Sequence, residues 1–185
     1  MSNRVDGHCW FAGYIFKALV AGALTYIKLN DQTRPMPIPI PARTELFVRY
    51  LAGVAALHLL WEVVQLPLYT LWRGSPLSTI AFAVVHCTLG DVLIAACSLY
   101  LAVVACGGSQ WPQVRFLRVA LLAGVMGLTY TVFSEWNNAV VARNWAYSPW
   151  MPTLWGIGLS PVLQWLVIPT LVFWRLSRRI VAHPD

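Results

Sequence analysis

The sequence predicts an all-α fold, a polytopic bundle of four transmembrane helices with one more membrane-associated segment at the N-terminus. Three observations predict it. Of the 185 residues, 58% are hydrophobic and 11% charged, and the mean hydropathy is +0.62; an ordinary soluble domain has about a quarter of its residues charged. Four apolar runs each reach the roughly 20 residues that a spanning helix requires. The charges gather at the ends of those runs, with no basic run interleaved with aromatics of the kind that binds nucleic acid. The expected partners are therefore the lipid bilayer and a lipid-soluble small molecule, and not nucleic acid.

Residues 1–35 contain "CWFAGYIFKALVAGALTYIK", long enough to span. Lys17 near its middle costs about 2.5–3.5 kcal/mol on insertion scales, so the segment reads either as a fifth span, as an interfacial helix or as an uncleaved targeting segment. Met36 offers a second start, which would make residues 1–35 an upstream extension. The alternating prolines of "RPMPIPIPAR", residues 34–43, predict an extended linker over 36–45. The transmembrane domain occupies 46–179. Its spans are 46–72, closed by "RGSP"; 78–106, closed by "GGSQWP"; 116–136; and 151–174, ending at "RLSRR". Residues 180–185 form a tail.

Arginine placement gives the orientation. If the first of the four helices enters from the cytoplasm, that side carries Arg34, Arg43, Arg49, Arg115, Arg118, Arg175, Arg178 and Arg179, and the far side only Arg73 and Arg143. The positive-inside rule then predicts a multi-pass protein of a bacterial inner membrane with its C-terminus cytoplasmic. Cys87, Cys97 and Cys106 share one span with no paired spacing, and read as small apolar fillers.

Against this apolar background, "HLLWEVVQLP" places His58, Glu62 and Gln65 at i, i+4 and i+7, one face of a helix. At about 1.5 Å of rise per residue, Glu62 lies near mid-membrane. Asp91 has the same depth on the second span, His86 lies in its outer half, Glu135 closes the third span, and Gln164 lies mid-way along the fourth. Three of the seven acidic residues thus fall in or beside hydrocarbon, where ionisable groups turn inward to one another or to a wet cavity. His86 and Asp91, five residues apart, point about 140° apart on an α-helix.

Three readings of this set stay open. His58, Glu62, Gln65, His86, Asp91, Glu135 and Gln164 form a polar centre that fixes helix pairing; or Glu62, Asp91 and Glu135 supply general acid–base catalysis on a lipid-soluble substrate, with a divalent metal held by His58, Glu62, His86 and Glu135; or the same groups carry protons or cations. The metal version lacks the Glu-x-x-His spacing of di-iron bundles. Gly156 with Ser160, and Gly124 with Gly127, read as small-residue faces for close helix packing. Pro161 and Pro169 predict a weakened hydrogen-bond ladder near Gln164, and Gly90 a close approach or kink beside Asp91.

"HLLWEVVQLPLYTLW", "HCTLGDVLIA", "SEWNN", "NWAYSPWMP" and "GLSPVLQWLVIP" together resemble a group of uncharacterised small integral membrane proteins of bacteria, a resemblance that implies the membrane class and no activity. A fainter likeness is to the transmembrane carotenoid (lycopene) cyclases, in which an Asn-Trp-x-Tyr stretch precedes Pro-x-Glu-Glu. Asn144, Trp145 and Tyr147 match the first part; the second departs, since Pro161 is followed by "VLQW" with Gln164 where an acid would stand.

Overall fold

The computed structural model describes residues 40–182. The N-terminal segment, most of the proline-rich stretch and the last three residues lie outside the described residues. Helix α1 is Ile40–Gln65, followed by a 3-10 turn at Leu66–Leu68 and a one-turn helix α2, Leu71–Gly74. Helix α3, Leu77–Ala102, runs into a π-helical turn at Val103–Gly107, and α4, Phe116–Glu135, into another at Trp136–Val141. A two-stranded antiparallel hairpin, β1 Thr153–Leu154 and β2 Ile157–Gly158, leads into α5, Leu159–Ala182.

Four of these helices are long and apolar enough to cross a membrane, over Arg43–Leu68, Leu77–Gly107, Phe116–Val141 and Leu159–Arg178. This is the all-α architecture of a multi-pass membrane protein. Around the bundle α1 packs on α3, α3 on α4, α4 on α5 and α5 back on α1, so the long helices close a ring. Large apolar side chains cover the outside, among them Leu60, Val64, Phe82, Leu89, Leu121 and Val125. The inside holds His58 and Gln164, which are almost fully buried. Apolar residues outside and polar ones within invert the usual soluble pattern, as a hydrocarbon solvent demands.

Several ends differ from the sequence expectation. Helix α1 stops at Gln65 and the span at Leu68, rather than at Trp72, because Pro67 carries no N–H and cannot continue the ladder. Its start at Ile40 reaches into the stretch read as extended linker; Pro41 falls in the first turn, where a missing N–H costs nothing. The fourth span starts at Leu159, not near residue 151, because Gly156, at φ +79°, turns the hairpin that precedes it. Gly156 is thus a turn glycine and not a helix-packing face. Pro161 lies in the first turn of α5, where it breaks no bond, and Pro169 is the proline inside the helix. α3 is a continuous α-helix past Gly90, and nothing lies within 4 Å of a Cβ built there, so neither a kink nor a close approach occurs.

The interior divides along the bundle axis. At the arginine-rich end it is apolar and aromatic. Tyr50 stacks on Phe173 at 4.5 Å, Phe116 meets Phe173 edge-on at 6.0 Å, and Val54, Leu99, Val119, Ile168 and Val172 fill the space between. Val172 lies against Gly53, its nearest methyl 3.2 Å from where a Cβ would stand. The hydrogen-bonded polar cluster begins at His58, two turns beyond Tyr50 on the same face of α1.

Candidate functional site

The buried stripe of α1 runs Leu46, Tyr50, Val54, His58 at intervals of four, then Gln65. A four-residue step keeps each side chain on one face, so the sequence that buries the apolar half also delivers His58 and Gln65 to the interior. There His58 Nδ1 lies 2.8 Å from Asp91 Oδ2 of α3. Gln164 of α5 sits between the helices, its Nε2 3.1 Å from Glu62 Oε1, 3.2 Å from Asp91 Oδ2 and 2.9 Å from His58 Nδ1. From the next residue, Trp165 Nε1–H donates to Asp91 Oδ1 at 3.0 Å.

Asp91 accepts from Trp165 on one oxygen and faces His58 and Gln164 with the other. His58 Nδ1 lies within bonding distance of both Asp91 Oδ2 and Gln164 Nε2: it donates to the first when it carries the ring proton and accepts from the second when it does not. His58 Nε2 has no hydrogen-bond partner among the described residues, although the side chain has no exposed surface. The ring meets Trp165 edge-on at 5.3 Å. Trp165 in turn occupies the place of a side chain on α4: a Cβ on Gly127 would lie 2.1 Å from its ring.

Towards the opposite end the bonds continue. Gln65 Nε2 donates to Glu62 Oε1 at 2.8 Å, Ser160 Oγ–H donates to Gln65 Oε1 at 2.8 Å, and Trp61 Nε1–H donates to Ser160 Oγ at 3.1 Å. One turn of α4 separates Gly127, Thr131 and Glu135, all three buried. The Tyr147 hydroxyl donates to Glu135 and accepts the Gly158 N–H at 3.0 Å, tying the loop after α4 and the hairpin to the bundle. Ser148 ties the same loop to the turn after α1, through Oγ–H to the Pro67 carbonyl at 2.9 Å. Tyr69 pairs with Tyr147 as an isolated antiparallel bridge, their rings 5.6 Å apart. Burial, then the fields of Glu135 and Glu62, push the Tyr69 phenol well above its ordinary pKa.

His58, Glu62, Gln65, Asp91 and Gln164 therefore meet, and Glu135 lies further along with Tyr147. His86 does not join them. It is exposed on the outside of α3, stacked on Phe82 at 5.5 Å, as the angle separating it from Asp91 requires. The four-residue metal set of His58, Glu62, His86 and Glu135 is consequently not assembled, and among the described residues no group of three or more His, Cys, Asp and Glu side chains is placed to hold a metal ion. Trp61, Trp165, Ser160 and Tyr69 were not anticipated; Trp165 and Ser160 carry a signal only once α5 is docked. Comparison with protein-family models, with curated proteins and with solved structures found no match to the chain.

Proposed function

We propose that this is a membrane-embedded enzyme that performs acid–base chemistry on a lipid-soluble small molecule, with His58 as the base. The observation that carries the reading is His58 itself. With the ring proton on Nδ1, His58 donates to Asp91, which orients the ring and would stabilise the imidazolium formed on proton uptake. Its Nε2 lone pair is buried and unpartnered among the described residues. An unmade buried bond costs about 1–3 kcal/mol, so a histidine serving only to pair helices gains nothing from leaving Nε2 unbonded. Glu62, joined to Asp91 through Gln164, is the second carboxyl within the same bonded set.

Transport is the weaker reading because the polar groups stop half-way. Beyond His58 the interior is filled by Val54, Tyr50, Leu99 and Phe173, and the buried polar groups there, Ser98 and the Tyr100 hydroxyl among them, are not hydrogen-bonded to the His58 cluster. The arginine count supports an orientation with that end in the cytoplasm of a bacterial inner membrane and the polar half opening to the other side.

Lipid extracts of cells making the wild-type protein, the His58→Gln variant or neither test the proposal. A lipid-soluble species consumed and another formed only with the wild type is the expected result. Identical extracts from all three, with the protein present in the membrane, would overturn it.

A further inference from the structure

We infer that the molecule received at this site is a protonated amine on an apolar body. The inference rests on the reading that the cluster admits a lipid-soluble small molecule, and adds its chemical class. Charge is the first argument. Glu62, Asp91 and Glu135 bring three carboxyl groups to one half of the bundle, and among the described residues no Lys or Arg is bonded to any of them; His58 is the single cationic candidate. An anion is repelled there by any of these carboxyls that is ionised, and a cation is attracted and holds them in the ionised form.

Hydrogen-bond sense is the second and independent argument. The buried side-chain atoms that have no hydrogen-bond partner among the described residues in this half are His58 Nε2, with no exposed surface, Thr131 Oγ1, 7% exposed and one turn from Glu135 on the same face of α4, and Trp145 Nε1, a donor that faces the Glu135 carboxyl. Glu62 receives both of its amide bonds on Oε1, and Oε2 receives none among the described residues. With the ring proton on Nδ1, Nε2 accepts, as does a carboxylate oxygen, and a hydroxyl accepts as readily as it donates. The complementary ligand is a donor. Trp61, Trp165, Tyr69 and Tyr147 line the same half, and aromatic faces attract organic cations by about 0.5–2 kcal/mol.

Purified full-length protein in detergent, at about pH 7, is titrated with octylamine, octan-1-ol and octanoate while its tryptophan emission is followed. The amine should saturate at least ~10-fold below the alcohol, a gap of about 1.4 kcal/mol, with octanoate weaker than either. Glu62→Gln should bring amine and alcohol to within about 3-fold of each other. Equal binding of amine and alcohol by the wild type, no binding of the amine, or an amine preference unchanged in both Glu62→Gln and His58→Gln would each overturn the inference. Should Glu62→Gln fail to accumulate, the wild-type ratio of amine to alcohol decides alone. A His58-dependent lipid product without amine preference removes this inference and leaves the acid–base reading standing.

Discussion

His58 and Trp165 show how closely single side chains are held. Trp165 donates to Asp91, meets the His58 ring edge-on and rests where Gly127 has no side chain. Any Cβ at Gly127 must displace the indole, which is rigid and 2% exposed. Gly124, one turn away on the same helix, has nothing within 4 Å of its Cβ position. Gly127→Ala should therefore cost about 1–3 kcal/mol, the usual penalty of overpacking, and Gly124→Ala should be neutral or slightly stabilising through helix propensity. Thermal melting in detergent separates them, and equal melting temperatures would show that Trp165 is not seated on α4. The pair read alike in the sequence, as two small residues. What distinguishes them is a ring delivered from α5, some 40 positions further along the chain.

At the scale of elements, the loop between α4 and α5 hangs on Tyr147, which bonds Glu135 of α4 and the Gly158 N–H of β2. Tyr147→Phe leaves a carboxyl and an N–H unsatisfied, at about 1–3 kcal/mol, and trypsin should cut faster after exposed Arg143. Burial first, then the Glu135 bond, raise the Tyr147 phenol from an ordinary 10.0 to about 12. Its folded pKa lies above its unfolded one, so its contribution is fully present below about pH 10 and is lost as pH rises towards 12. The wild type should lose stability across that window more steeply than Tyr147→Phe; parallel curves would show that the tether carries none of the loop's stability. Helix centres were legible in the sequence because hydropathy alone sets them, and the face of His58, Glu62 and Gln65 because 3.6-residue periodicity does. The ends of the first and fourth spans were not. Pro67 and the Gly156 turn interrupt runs whose hydropathy continues, and the 139–158 loop is held by contacts distant in sequence. Asp91 was separated from His86 only in part: their angular divergence was readable, but which of them faces inward depends on where α1 and α5 dock.

Across the whole molecule, the bundle divides into a half packed with Leu46, Tyr50, Val54, Leu99 and Phe173 and a half holding the His58 cluster. One accessibility measurement joins insertion, orientation and this division. In a variant lacking the native cysteines, single cysteines at Tyr69, Glu62 and Val54 are exposed to a small, charged, membrane-impermeant thiol reagent in intact cells. The three positions descend along one side of the bundle from the loop end to the seal. The account predicts rapid labelling at 69, slower labelling at 62 and none at 54, whether or not the cells are permeabilised. Labelling at 54 would mean that a water path runs through the bundle, and labelling at 62 and 69 only after permeabilisation would reverse the orientation; either result contradicts a site that opens away from the cytoplasm above an apolar seal.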